Sequence, residues 1–227
     1  MYEKQEKIGN IMHPNRNFRN VETSKKYQLL IKKVFGSLIF AHSEGILISH
    51  VPFLLDEKGE SVEMHLVRSN PILRYLDTPK DVVLTVQGPD AYISPDWYGV
   101  PDQVPTWNYI AVHVRGKLER LPQEDIRGVL ERLSAAAEAR LAPKKPWTID
   151  KMTPEVFDKM TRQIVPVKLT IDQIEKDGET QLDMSGTWKL SQNKPDEVRH
   201  AAINGLKTSD IGTEIEWLRA LMRAVDE

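Results

Sequence analysis

The sequence predicts a mainly β protein with peripheral helices, its strands closing an antiparallel barrel between segments far apart in the chain. Three observations carry this. Strand-like stretches with turn residues between them fill much of residues 34–120, one helix pair interrupts them over 122–164, and VPVKLTIDQIE resumes a period-two alternation only after that pair. Strands, one helix pair and then a strand suit a barrel completed late better than a βαβ array.

The chain has 227 residues, 40% hydrophobic and 28% charged, with a formal net charge of −2 and no cysteine. That length allows roughly 70% of the unfolded surface to be buried. The absence of cysteine excludes disulfides, thiolate metal sites and a cysteine nucleophile, and it suits a cytoplasmic protein. No apolar run approaches the roughly 20 residues that span a bilayer. The charge balance speaks against a surface coated for nucleic acid, because phosphate neutralisation supplies most non-specific affinity. Residues 1–11 are polar and read as a flexible N-terminal extension, and 12–227 as a single domain with C-terminal helices.

In order, IMHPNRNF reads as an extended arm, and Val21 to Lys33 as a helix with Tyr27, Leu30 and Ile31 on one side. VFGSLIF and GILISHVPFLL form a hairpin, and DEKGE turns the chain into SVEMHLV, a second hairpin. RSNPILRYL is a short helical piece in which Asn70 caps and Pro71 occupies the first turn. Its free N–H groups and the Arg68 guanidinium offer an anion site, although Arg68 also reads as an ordinary surface charge.

VVLTVQG and NYIAVHVRGKLER are strands, and between them Gly88-Pro89 and Ser94-Pro95-Asp96 carry turn chemistry. The stretch 87–116 holds Trp97, Trp107, Tyr92, Tyr98, Tyr109 and four prolines, too rigid for an ordinary loop. It either plugs one end of the barrel, walls a flat ligand or packs on a second subunit. Pro122 to Arg140 is an amphipathic helix presenting Ile126, Val129, Leu130, Leu133 and Ala137. Thr153-Pro154 opens another, burying Val156, Phe157, Met160 and Ile164, and Val165, Val167, Leu169 and Ile171 then alternate as a strand. Near the end, Asn193 or Lys194-Pro195 begins a helix that Asn204-Gly205 ends in left-handed conformation. Thr213 and Glu216 form a capping-box pattern for a last helix striped by Ile215, Leu218, Leu221, Met222 and Val225.

No Gly-rich phosphate loop, nucleophile elbow, zinc helix or internal repeat is present. Of six histidines, His50 and His65 sit in neighbouring strands and can face one site, as hydrogen-bonding groups or as metal or haem ligands.

The strings HLVRSNP, QGPDAYISPDWY, VPTWNYIAVHVRGKL and TWKLSQNKP, in that order, resemble the signature blocks of the PaiB family, described as negative transcriptional regulators with an FMN-binding split-barrel fold. The resemblance spans about Met12 to Leu206. Departures are Met64 for a frequent glycine, Ala137 for a common histidine and IVPVKLTI for the usual isoleucine-valine-glycine string. The resemblance implies a six-stranded antiparallel split barrel, bound FMN and a homodimer. It assigns Arg68 and Lys189 to the flavin phosphate, His65, Asn70 and Ser49 to neighbouring polar contacts, and Trp107 or Tyr92 to the ring. His50, in SHVPFLL, which resembles the family's block of a threonine or serine, histidine and proline, and Asn108 and Gln192, within the blocks above, complete the set of candidate cofactor contacts. Three functions compete: an FMN-binding regulator acting on DNA or through a partner, which the resemblance implies; an FMN-dependent oxidoreductase of the pyridoxamine-phosphate-oxidase-like class, which the implied fold includes; or a haem-handling protein using one of the histidines. No helix-turn-helix pattern supports direct DNA binding.

Overall fold

A computed structural model describes residues 12–176 and 178–226; the expected flexible extension over 1–11 lies outside them. In chain order the elements are α1 (Arg16–Arg19), α2 (Thr23–Lys33), β1 (Phe35–His42), β2 (Gly45–Leu55), β3 (Ser61–Val67), β4 (Lys80–Ile93), β5 (Thr106–Arg120), α3 (Ile126–Glu138), α4 (Pro154–Thr161), β6 (Ile164–Ile171), β7 (Gln173–Lys176), β8 (Glu179–Leu182), β9 (Met184–Lys189), α5 (Asp196–Gly205), β10 (Gly212–Thr213) and α6 (Ile215–Arg223). Eight strands form one sheet and β7 pairs β8 in a separate ribbon. The residues pack as two compact units, one of 30–86 and 113–184, the other of the remaining residues, and the long strands β4 and β5 run through both. We call them the sheet unit and the terminal unit.

In the sheet unit the strand order is β4-β1-β2-β3-β6-β5, and β4 also pairs β5. The resolved registers are antiparallel, with Leu38 opposite Leu84, Phe53 opposite Met64, Met64 opposite Val167 and Leu118 opposite Leu169. Alternation explains the core. Val62, Met64 and Leu66 of β3 and Val165, Val167, Leu169 and Ile171 of β6 are buried, each worth about 1.5–3 kcal/mol on removal from water. Gly116 lets β5 close on β6, since a Cβ there would lie 2.0 Å from the Thr170 carbonyl oxygen. The β2–β3 turn is held by Asp56, whose carboxylate accepts from the backbone N–H of Glu60 and Ser61 and from the Ser61 hydroxyl, with Gly59 at φ +73. Helix α3 buries Ile126 and Val129 and packs on β2, β3 and β6, and Arg132 clamps the Glu63 carboxylate through two 2.8 Å bonds.

In the terminal unit β10 pairs the far end of β4, and Asp90 accepts from the Gln87 amide at 2.7 Å and the Thr213 hydroxyl at 2.9 Å. Trp97 lies against the Gly205 backbone, where a Cβ would meet the indole at 2.3 Å. Tyr98, Ala202, Ile203, Leu206, Leu218 and Met222 are buried.

Several local expectations are corrected. Gly88 and Pro89 do not turn; they continue β4, because the glycine admits Ile110, 2.4 Å from where a Cβ would be. Gly205 is right-handed, its bareness serving Trp97 instead of a left-handed cap. Thr213 caps nothing: its hydroxyl goes to Asp90, Glu216 pairs with Arg219, and the cap of α6 is Glu214 at φ +49. On α2 the buried residues are Leu29 and Leu30, with Ile31 exposed, and on α4 Val156 and Met160 face outward while Phe157 is buried.

Candidate functional site

The ten candidate residues divide evenly, Ser49, His50, His65, Arg68 and Asn70 in the sheet unit and Tyr92, Trp107, Asn108, Lys189 and Gln192 in the terminal unit.

In the sheet unit, alternation separates two neighbours. Ser49 shares the side of buried Val51 and Phe53, while His50 is exposed on the opposite face with His65, whose strand buries Met64 and Leu66. Asn70 uses both ends of its amide: Nδ2 donates to Ser49 Oγ at 2.7 Å, and Oδ1 accepts from Ile72 N at 3.0 Å as the cap of the short 3₁₀ turn Pro71–Tyr75. His50 Nδ1 lies 2.9 Å from Ser37 Oγ.

Arg68 is tied into the fold. Its Nε donates to the Arg162 carbonyl at 2.5 Å, and Nη2 donates to Gln123 Oε1 at 2.7 Å and to the Ile164 carbonyl at 3.2 Å. Its backbone N–H adds a bond to the Gln163 carbonyl at 2.7 Å. The anion site expected beside Pro71 therefore loses most of its donors, the Ile72 amide to Asn70 and two guanidinium nitrogens to the start of β6.

His65 Nδ1 is buried without a hydrogen-bond partner. Across the ladder stands Pro166, which has no N–H to offer. Burial lowers the pKa of His65, holding the ring neutral. A buried N–H with no acceptor costs more than a bare lone pair, so the proton belongs on Nε2. His113 on β5 is also lowered, by burial and then by the Arg115 charge.

In the terminal unit, Tyr92 and Trp107 meet edge to face at 6.3 Å, and Trp107 remains 46% exposed. Asn108 is wholly buried; its Nδ2 donates to Ser191 Oγ at 2.9 Å and lies 3.5 Å from Met222 Sδ. Ser191 sits at φ +63, a conformation unusual for serine, with the Tyr98 hydroxyl 3.4 Å away. Gln192 accepts from Leu190 N at 2.8 Å and donates to the carbonyls of Asn17 and Trp188, so it staples the N-terminal arm to the segment after β9. The aromatic connection is largely internal: Tyr98 is buried under Lys194, whose Nζ is 5.2 Å from the ring centroid, and Trp97 packs on Gly205.

Lys189 behaves differently from Arg68. Its Nζ donates to Thr106 Oγ1 at 2.5 Å, burial lowers its pKa, and among the described residues no carboxylate pairs with it. His13, which sequence reading left without a role, accepts from Asn15 N at its Nδ1 at 3.1 Å and packs edge-on against Phe18 at 4.9 Å. Burial first and the Lys189 charge second lower its pKa. Nothing local in the sequence pairs residue 13 with residue 189.

Flavin mononucleotide requires a cation, polar contacts and a flat apolar surface. Within the terminal unit, a partly buried ammonium without a carboxylate and an exposed indole fit two of those requirements. Among the described residues no group of three or more His, Asp or Glu can hold a metal ion, and no described helix is long and apolar enough to cross a membrane.

A family model described as a putative FMN-binding domain matches residues 12–173. The protease synthase and sporulation protein PAI 2 of Bacillus subtilis is 26% identical over 185 residues, covering 81% of this chain and 83% of its own. Among solved structures, an FAD and haem binding protein from Mycobacterium smegmatis aligns with a TM-score of 0.53 at 15% identity, over 81% of this chain and 79% of that one. The flavocytochrome Anf3 from Azotobacter vinelandii aligns with a TM-score of 0.52 at 15% identity, over 85% and 80%. The eight-stranded sheet with its helices thus resembles the sheet of flavin-binding split-barrel proteins.

Proposed function

The chain belongs to the putative FMN-binding domain family, and from that premise we propose that it is a split-barrel flavoprotein that holds FMN and uses it in redox chemistry on a small molecule. Membership is the observation that carries the reading. In support of the barrel, the pairing series β4-β1-β2-β3-β6-β5 returns to β4 through the β4–β5 pairing, so that each of these six strands has a partner on both sides. Bound FMN supplies reversible transfer of two electrons. Residues of the terminal unit bind and orient it: Lys189 neutralises phosphate charge and Trp107 offers a flat face. Arg68 keeps only Nη1 for a ligand, since Nε and Nη2 are engaged. The protein works as a cytoplasmic homodimer, to which Val100, Val104 and Trp107 lend exposed apolar surface.

A regulator that reads DNA by itself is the weaker reading. The net charge is −2, and α5 and α6 are separated by residues 206–214, which include β10, instead of the short turn of a helix-turn-helix. Haem is the rival occupant, because both similar structures are named for it or for a flavocytochrome. The test is the absorption spectrum of protein purified without added cofactor, followed by titration with FMN. Flavin bands or saturable FMN uptake are expected; a Soret band without flavin uptake overturns the proposal.

A further inference from the structure

We propose that the edge of β2 from Ile46 to His50 pairs antiparallel with the same edge of a second copy of this chain. Such a pairing rests on the homodimer proposed above and names the surface by which its sheet units meet. Register fixes which backbone groups are available. Phe53 N donates to the Val34 carbonyl at 3.0 Å, so the odd-numbered residues of β2 turn their amides toward β1 and the even-numbered ones away from it. Toward β3 the ladder covers only Phe53 to Leu55, beginning beside Pro52, which has no N–H. In the same register Ile48 would face Ser69 and Ile46 would face Pro71. Strand β3 ends at Val67, however, and the Asn70 N–H turns back to the Val67 carbonyl at 2.8 Å before the 3₁₀ turn Pro71–Tyr75. Among the described residues, the N–H and C=O groups of Ile46, Ile48 and His50 on that side meet no backbone partner.

The surface beside this edge is apolar. Ile46 and Ile48 are 66% and 59% exposed, and on the same outward face Phe35 of β1 and Val67 of β3 are each 55% exposed. Helix α3 packs on β2 and holds Glu63, opposite Leu54, through Arg132, whereas Gly45, Ile46, Ile48 and His50 stay exposed. A long apolar edge strand is a template for another chain, which proteins blunt with lysine, a bulge or a cover. The run GILISH over 45–50 contains no Lys, Arg, Asp or Glu. A second copy fits it as a cover. A strand related to itself by a two-fold axis runs antiparallel, and with Ile48 on the axis, Ile48 lies opposite Ile48 of the partner subunit and Ile46 opposite His50 of the partner subunit. Each of these residues then directs its N–H and C=O across the axis, and no like charges meet. Phe35, Ile46, Ile48 and Val67 supply about half of the roughly 800 Å² that each partner of a standard stable interface buries, and the backbone bonds of the added strand set its direction.

The test uses the full chain, whose lack of cysteine lets a single introduced cysteine report on one position. By light scattering at micromolar concentration the parent should be a dimer. Ile48→Lys and Ile48→Glu each set like charges on the axis and should each weaken the dimer at least about tenfold, while their equimolar mixture should restore it as a heterodimer. Both variants should keep the far-UV circular dichroism of the parent, since the Ile48 side chain is exposed and its amide points away from β1. Under mild oxidation Ile48→Cys should form a disulfide-linked dimer at least about tenfold faster than the more exposed Ile46→Cys, because only residue 48 comes within the roughly 4.4–6.8 Å Cα separation that a disulfide spans. A dimer unaffected by either charge, a mixture that stays monomeric, or equal cross-linking at 46 and 48 overturns the edge pairing and leaves the homodimer standing. A monomeric parent overturns both and leaves the edge to an extended peptide of another protein.

Discussion

Arg68 and Lys189 are both cations in blocks that resemble one family's signature, and the fold treats them in opposite ways. In the sheet unit, Arg68 finds backbone carbonyls at the start of β6 and the Gln123 amide oxygen, so its guanidinium closes a junction between β3, β6 and the approach to α3. In the terminal unit, Lys189 finds the Thr106 hydroxyl, which does not compensate its charge. A signature residue can thus be kept by the fold or left for a ligand, and the difference lies in the acceptors that distant parts of the chain bring to it.

The largest expected effect comes from removing the uncompensated charge. Lys189→Met should weaken FMN binding by about 2–4 kcal/mol, the range for truncating one partner of a desolvated charge pair. Thermal stability should stay level or rise slightly, since a partly buried ammonium without a compensating carboxylate is removed. Fluorescence titration of FMN together with thermal denaturation checks both halves. A large loss of stability with unchanged affinity would make Lys189 the structural cation of the pair.

Arg68→Ala should do the reverse. Losing three charge-assisted side-chain bonds at an exposed position should lower folding stability by about 1–3 kcal/mol, while FMN affinity stays within about threefold. Urea unfolding of Arg68→Ala and Arg68→Lys measures this, and lysine should recover little because it cannot form the fork that reaches both carbonyls. An FMN affinity loss on the scale of Lys189→Met would restore Arg68 as a phosphate ligand.

The two cations also mark where sequence reading reached and where it stopped. Local chemistry was legible: Asn70 and Pro71 open a capped turn, Asp56 and Gly59 make a hairpin, and the alternation of Val165 to Ile171 is the core face of β6. Each of these is decided by neighbours a few residues away. Arg68 is decided by carbonyls 94 and 96 residues later, Thr213 by Asp90 123 residues earlier, and Gly88 by Ile110 on the adjoining strand. A proline or a Thr-x-x-Glu pattern states a local preference, and tertiary partners overrule it whenever burial or a hydrogen bond is worth more. The partners of the candidate residues were not legible: Asn108 bonds Ser191, 83 residues later, and Gln192 reaches back to the Asn17 carbonyl.

Histidines sharpen the comparison through pH. His65 in the sheet unit is lowered by burial alone, His13 in the terminal unit by burial and by Lys189. A histidine whose folded pKa lies below its unfolded value of about 6.5 leaves the unfolded chain binding more protons, so its contribution is complete above that pH and is lost as pH falls toward the folded pKa. Stability should therefore decline on acidification below about pH 6.5, and less steeply in His65→Gln. Removing the Lys189 charge should raise the pKa of His13 and leave that of His65 where burial holds it. Proton NMR titration of the two rings in the parent and in Lys189→Met decides this; equal shifts would remove the distinction between the two histidines.

The smallest effect concerns the turn that carries Lys189 into the segment after β9. Ser191 holds φ +63, which costs a side chain roughly 1–2 kcal/mol, and keeps that conformation because its hydroxyl satisfies the buried Asn108 amide. Ser191→Ala keeps the strain and leaves Asn108 with only the Met222 sulfur as acceptor, so it should cost about 1–3 kcal/mol. Ser191→Gly loses the same bond but relieves the backbone, so its net change should stay under about 1 kcal/mol. Denaturant unfolding of the two variants gives the strain as their difference. If alanine and glycine prove equally destabilising, the left-handed turn carries no strain and the Asn108–Ser191 bond alone fixes the segment; if glycine matches the parent in stability yet weakens phosphate binding, the hydroxyl's contribution is to hold Lys189 in place.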